Sequence, residues 1–290
     1  MLEALSEFLR KGRVLALTGA GISTESGIPD YRGPTTRHKE RKPIQHRAFV
    51  DSAHSRARYW ARSVLGWPRF RAFEPNAAHH AVAALERAGV VSSVLTQNVD
   101  RLHTKAGSQR VLELHGSLYL VRCLTCAATE SRDGLQTRLL EANPGSAAWS
   151  YTLAPDGDAD IPLEALDGFV TPGCLQCGGV LKPDVVFFGD NVPPPRVEES
   201  FARLDEAERL LVVGSSLTVW SGYRFVKKAH ELGKPIAILN LGETRGDAHA
   251  TLRIDAIAGE LLPGVAAKLQ SEPVSKNAAG FDTVFTSENR

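Results

Sequence analysis

The chain has 290 residues, 43% hydrophobic and 23% charged, which suits a soluble globular protein with one large domain, or one plus a small insert. Its 34 lysines and arginines balance 33 aspartates and glutamates, so no global field draws it to nucleic acid or to an anionic membrane. No apolar run reaches the ~20 residues that a membrane span needs.

Met1 to Lys11 reads as an amphipathic helix carrying Glu3 and Glu7. It has neither the apolar core of a secretory signal nor the acid-poor character of an organellar transit peptide, so a cytoplasmic location is expected. Arg13–Thr18 reads as a buried strand and ends in Gly19-Ala20-Gly21. The basic run Arg37-His38-Lys39-Glu40-Arg41-Lys42 reads as a solvated loop. A helix that Asn76 can cap runs to about Ala88, and Val90–Thr96 is the next strand. Lys182–Phe188, Arg209–Val213 and Pro235–Asn240 read as three more strands. A short strand at Arg253–Asp255 and a closing helix over Gly259–Leu269 follow. Strands alternating with helices predict a doubly wound, parallel, Rossmann-like sheet built from residues 1–117 and 182–272. Residues 273–290 lack periodicity and read as a mobile tail. There is no internal repeat.

Between residues 118 and 181 the βα rhythm stops, and this segment holds all four cysteines. Cys123-x2-Cys126 and Cys174-x2-Cys177 are paired knuckles with 47 residues (127–173) between them. Two-residue spacing lets both sulfurs of a pair face one tetrahedral ion. Gly178-Gly179 supplies the backbone freedom of a tight turn. Four thiolates close the coordination shell, so the zinc expected here is structural and activates no water. Two disulfides or a redox pair are the rival readings, and a cytoplasmic home weighs against the first. The long gap places an inserted loop inside this small zinc-binding module.

Gly19-Ala20-Gly21 followed by Ile22-Ser23-Thr24 departs from the dehydrogenase fingerprint, because Thr24 stands where a third glycine belongs. Further blocks follow: Ile28-Pro29-Asp30-Tyr31-Arg32-Gly33, Thr96-Gln97-Asn98-Val99-Asp100-Arg101-Leu102-His103 and Glu113-Leu114-His115-Gly116. Gly214-Ser215-Ser216-Leu217 and Asn240-Leu241-Gly242-Glu243 complete the set. Most sit just past the C-terminal end of an expected strand, where open α/β sheets bind ligands. In these blocks and their order, from about Leu9 to Leu269, the chain resembles the sirtuin family. Pro43-Ile44-Gln45, Gly66-Trp67-Pro68 and Asp184–Asp190 are most similar to the class II branch, the one that includes lipoamidase-type members.

The resemblance implies an NAD-dependent protein-lysine deacylase. Gly19, Ala20, Gly21, Ser23 and Thr24 would line the diphosphate. Arg32 would lie on the cofactor loop, and Tyr31 would shield the nicotinamide site. Gln97, Asn98 and Asp100 would surround the nicotinamide and its ribose, with Asn98 part of the catalytic set. Gly214, Ser215 and Ser216 would meet phosphate or the adenosine ribose. Asn240, Gly242 and Glu243 would lie at the adenosine end, and the Ala258 backbone would reach adenine. His115 would take the proton of the ribose 2′-hydroxyl, a task suited to an imidazole of ordinary pKa about 6.5. Nicotinamide, free lysine and 2′-O-acyl-ADP-ribose would be the products. Asp100 could also cap a helix starting near Arg101, while His79 and His103 read as structural.

Extended chain after Phe188 and at Thr218-Val219-Trp220 would hold an acyl-lysine peptide, and Trp220, Phe187 and Phe188 could line the acyl tunnel. Desuccinylase-type members carry a Tyr-x-x-Arg pair. None is read after Tyr31, where Arg37 and Arg41 lack a tyrosine, so neutral acyl groups are expected. Three rival functions remain: transfer of ADP-ribose to protein, an NAD oxidoreductase, and a zinc-ribbon nucleic-acid module. Thr24 weighs against the second and the even charge balance against the third.

Overall fold

A computed structural model describes residues 1–30, 44–146, 149, 152–153, 159–160, 166 and 168–271. Tyr31, Arg32, the basic run from Arg37 to Lys42 and the expected tail at 273–290 lie outside the described residues. Helix α1 (Leu2–Arg10) leads into β1 (Val14–Thr18) and a 3₁₀ turn over Ala20–Ser26. Then come α2 (His46–Asp51), α3 (Ala53–Arg71), α4 (Ala77–Arg87), β2 (Val91–Thr96), α5 (Leu102–Lys105) and β3 (Val111–Glu113). The chain continues through β4 (Gly116–Cys123), β5 (Thr129–Ser131), α6 (Arg132–Ala142) and a ribbon of β6 (Thr152–Leu153) with β7 (Ala159–Asp160). It ends with β8 (Leu181–Val185), α7 (Pro194–Glu206), β9 (Arg209–Val213), α8 (Trp220–Glu231), β10 (Ile236–Leu239), β11 (Leu252–Ile254) and α9 (Ala258–Ser271).

The large sheet has the order β11-β10-β9-β1-β2-β3, every neighbouring pair parallel. The central strands β1, β9 and β10 are buried on both faces, which is why they read as near-unbroken apolar runs rather than as alternating ones. Val14 and Ala16 face one core, filled by Leu5 and Leu9 of α1, Val82 and Leu85 of α4, and Leu262 and Val265 of α9. Leu15 and Leu17 face the other, filled by Leu204 of α7 and Phe225 and Val226 of α8. Helix α4 starts where the sequence predicts, with the Asn76 side chain accepting from Ala78 and His79 N–H in a capping box.

The small sheet, β5-β4-β8, is antiparallel. Here one expectation is corrected. The strand read over Lys182–Phe188 belongs to this sheet as β8, not to the parallel one. Pro183 carries the physical reason, because a proline cannot donate to a ladder and is at home on an edge strand, which β8 is. Helices α2 and α3 also serve the small sheet: Phe49, Trp60 and Val64 bury against Val121, Leu135, Leu139, Leu181 and Phe187. Arg132, 2% exposed, lies 5.5 Å from the Trp60 ring and 5.1 Å from that of Trp67, and its guanidinium donates to the Ser63 carbonyl and hydroxyl.

Gly116 marks the point where the chain passes between sheets. Its φ is +81°, and a Cβ there would lie 1.9 Å from the Asp184 carbonyl oxygen, so only glycine fits. Among the described residues no helix is long and apolar enough to cross a membrane.

Candidate functional site

The loops after β1 and β9 meet backbone to backbone at the C-terminal edge of the parallel sheet. Gly21 N–H donates to the Gly214 carbonyl at 2.8 Å, and a Cβ on Gly21 would lie 2.9 Å from that oxygen. Gly214 has φ +60° and leaves no room for a Cβ, which would sit 2.3 Å from Ile22 N. The glycines that resemble a phosphate loop thus have a packing duty of their own, and they keep main-chain N–H groups at the strand ends. Thr24 hydroxyl donates back to the Gly21 carbonyl at 2.9 Å, and Glu25 accepts the Gly259 N–H at 3.0 Å, tying this turn to α9. Ala20 opens the turn.

Below that turn lies a hydrogen-bonded set joining β1 to the loop after β2. Ser23 hydroxyl donates to Asp100 Oδ2 at 2.7 Å and accepts from Asn98 Nδ2 at 3.0 Å. Asn98 Nδ2 also donates to the Gly19 carbonyl at 3.1 Å. Asp100 Oδ1 accepts the Leu102 N–H at 2.9 Å from just ahead of α5, but the N-cap position is Arg101, at φ +59° and without a side-chain cap, so Asp100 is not the cap expected. Burial raises the Asp100 pKa, opposed by these hydrogen bonds. His79 and His103 form the floor with ring centroids 4.9 Å apart, His79 Nε2 3.4 Å from Ser23 Oγ and His103 Nε2 2.9 Å from Thr18 Oγ1. Burial pushes His79 down to about 4 and His103 well below its usual value.

Gln97 connects this set to the rest. Its side-chain amide donates to Ser215 Oγ at 2.7 Å, and its backbone carbonyl lies 2.8 Å from His115 Nδ1. A carbonyl only accepts, so Nδ1 carries the proton and Nε2 is left as the acceptor. Nε2 is 2.7 Å from the hydroxyl of Ser221, a residue that sequence reasoning passed over. Burial lowers the His115 pKa; the Gln97 carbonyl opposes this, and Arg224 and Arg196 add to it. Farther out, Ser216 Oγ pairs with Thr218 Oγ1 at 3.1 Å. Asn240 Nδ2 donates to the Leu241 and Gly242 carbonyls, both at 3.0 Å, Glu243 is exposed, and Ala258 begins α9.

Two expectations about the substrate side change. Trp220 is 54% exposed at the start of α8, with Arg245 5.9 Å from its ring centroid, and is not part of the apolar cluster that holds Phe187. Phe187 is buried among Phe49 and Tyr59, with centroids 5.4 and 5.6 Å away, while Phe188 pairs through its main chain with Gln45 and its carbonyl accepts the His46 N–H at 2.9 Å. The sequence also does contain a Tyr-x-x-Arg spacing, Tyr59-Trp60-Ala61-Arg62, on α3. An i,i+3 pair shares one helix face, and the Tyr59 ring meets Phe187, so the ground for expecting only neutral acyl groups is removed.

The four cysteine sulfurs lie within 4.8 Å of one another, with Cys123–Cys177 at 3.6 Å and Cys126–Cys174 at 3.7 Å. Both separations are far beyond a disulfide bond of about 2.05 Å. They match the ~3.8 Å between ligands of a tetrahedral ion with Zn–S of about 2.3 Å. Backbone N–H groups of Thr125 and Gln176 point at Cys123 and Cys174 Sγ, at 3.3 and 3.4 Å, and favour thiolates. The site fits one structural zinc ion.

The Sir2 family profile matches residues 19–221. A Xanthomonas axonopodis pv. citri protein named NAD-dependent protein deacetylase is 53% identical over 259 residues, spanning 89% of this chain and 88% of its own length. Human NAD-dependent protein lipoamidase sirtuin-4, mitochondrial, is 53% identical over 254 residues, 87% of this chain and 81% of that one. A solved structure described as Sir2-p53 peptide-NAD+ superposes with a TM-score of 0.73 at 29% identity, covering 94% of this chain and 100% of that one. With a profile match over most of its length and relatives above half identity, this chain belongs to the Sir2 family.

Proposed function

We propose that the chain is an NAD-dependent protein-lysine deacylase that releases nicotinamide and free lysine and forms 2′-O-acyl-ADP-ribose, with His115 as its base. The observation that carries this reading is the His115 ring itself, with Nδ1 committed to the Gln97 carbonyl, so that Nε2, which meets the Ser221 hydroxyl, is the accepting nitrogen. The names of the relatives weigh toward deacylation over transfer of ADP-ribose to protein.

NAD, when bound, supplies an electrophilic sugar carbon with nicotinamide as leaving group. The chain's own residues do the rest. The Gly19–Ser23 turn and the Gly214–Ser216 loop would meet the phosphates. Asn98 and Asp100, already held by Ser23, would orient the carboxamide and the inner ribose, with Gln97 beside them. Asn240, Gly242, Glu243 and Ala258 would meet the adenosine. His115 Nε2 takes the sugar hydroxyl proton and becomes imidazolium, which the lowered pKa of the buried ring makes ready to give the proton up again. The zinc ion would hold the small sheet and, with no open coordination position, take no part in the chemistry. Extended main chain at Thr218–Trp220 and after Phe188 would bind the peptide on both sides of the acyl-lysine.

The test is incubation with NAD and lysine peptides bearing acetyl, longer neutral and acidic acyl groups, with products read by mass spectrometry. Acyl-ADP-ribose and free lysine are expected. ADP-ribosylated protein with no acyl-ADP-ribose from any peptide sinks the reading. A cytoplasmic location is part of the same proposal and is tested by fractionating the source cells.

A further inference from the structure

We propose that Ser221 is a positioning residue for His115, the second jaw of a clamp whose first jaw is the Gln97 carbonyl. This rests on the reading of His115 as base. The two jaws grip opposite nitrogens of one ring, 2.8 Å at Nδ1 and 2.7 Å at Nε2. An imidazole held at one nitrogen can still swing about that bond; held at both, it has one orientation.

The local sequence builds the clamp. Ser221 is the second residue of α8, and Gly222 follows it. A Cβ on Gly222 would lie 2.4 Å from Gln97 Oε1, so glycine there lets the first turn of α8 close on the loop that carries the other jaw. Arg224 Nε donates to the Ser221 carbonyl at 3.2 Å and braces the turn from behind. The charged groups acting on the ring are Arg224 from α8 and Arg196 from α7, and both favour its neutral form. A hydroxyl suits the second jaw because it can reverse. It donates to the bare Nε2 of the free enzyme, and after the sugar proton has moved to Nε2 its oxygen can accept from the resulting N–H. At the moment of transfer the sugar hydroxyl takes the lone pair, and the ring has been aimed before it arrives.

The test separates the step that releases nicotinamide, which needs no base, from the step that does. Exchange of labelled nicotinamide into NAD in the presence of acyl-peptide reads the first, and formation of acyl-ADP-ribose reads the second. Ser221→Ala is expected to slow the second about tenfold, the worth of one ordinary hydrogen bond, and to leave exchange within about twofold. Ser221→Thr, which keeps the hydroxyl, is expected to recover most of the loss. Equal loss of both steps, or acyl transfer as fast as in the parent, overturns the assignment. Should Ser221→Ala fail to fold, Ser221→Thr is compared with Ser221→Val, which matches its shape without the hydroxyl; equal rates of acyl transfer in those two also overturn it. His115→Ala run alongside keeps the two claims apart. If that variant still transfers the acyl group, the base reading has failed, whatever the Ser221 variants do.

Discussion

The two sheets of this protein reach stability by different routes. The parallel sheet buries β1 on both faces, with five consecutive residues inaccessible to solvent and helices on either side. The antiparallel sheet has only three strands, of which β5 is largely exposed, and it borrows Phe49, Trp60 and Val64 from a distant stretch of chain. What closes its far end is four sulfurs. A core of one kind needs length and apolar runs, and a core of the other kind needs a metal and a few contributed rings.

Removing zinc with a chelator is therefore the largest perturbation. A structural site of this kind contributes about 10 kcal/mol to the part it organises. Hydrogen exchange is expected to show lost protection at β4 and β8 while β1 and β9 stay protected; equal loss in both sheets would mean that the two are one cooperative unit. His115→Ala comes next. Loss of a general base is expected to lower deacylation about 10³-fold, with zinc content and melting unchanged. In the parent, the acidic limb of the activity profile is expected below about pH 6.5, because the base must be neutral and burial lowers its pKa.

Third is the acid stability of the parallel sheet. His79 is wholly buried with a pKa near 4, whereas in the unfolded chain it titrates near the usual 6.5. The unfolded state then binds the extra proton, so the stability this group confers is present above pH 6.5 and is lost as pH falls toward 4. The loss is about 3 kcal/mol, and His79→Gln is expected to flatten that part of a denaturation series. A slope unchanged in the variant assigns the acid loss elsewhere. The smallest effect is expected at Trp220. Although aromatic, it is mostly exposed, and Trp220→Ala is expected to shift stability by less than about 0.5 kcal/mol. A drop of several kcal/mol would show that its contact with Arg245 matters to folding.

The same contrast governs what could be read from residues alone. β1, β9 and β10 announce themselves because a strand buried on both faces is an unbroken apolar run, and Asn76 announces α4 because a cap has a fixed chemistry. The cysteine pairs were legible for the same reason, since two-residue spacing has few physical uses. The apolar run Val185–Phe188 lies almost wholly past β8, whose own residues are Leu-Lys-Pro-Asp-Val, and such a run does not say which sheet the chain beside it joins; Pro183 was the available sign of an edge. Helix α3 went unread, and with it the spacing from Tyr59 to Arg62, because its apolar face serves a small domain whose other wall lies more than fifty residues downstream. Motif blocks located Gln97 and His115, but no local pattern links His115 to Ser221, 106 residues later. Only the closing of α8 onto the loop after β2 makes them neighbours.

The crossing at Gly116 has a mechanical meaning. The backbone ahead of it is anchored in the parallel sheet by Leu114 N–H on the Thr96 carbonyl at 2.8 Å, and the His115 carbonyl accepts from Val186 N–H, just past β8, at 2.9 Å. His115 therefore stands where the main chain is tied to both sheets at once. Whatever sets the spacing of the two sheets therefore also sets where the imidazole stands, because its own backbone is pinned to one sheet on each side.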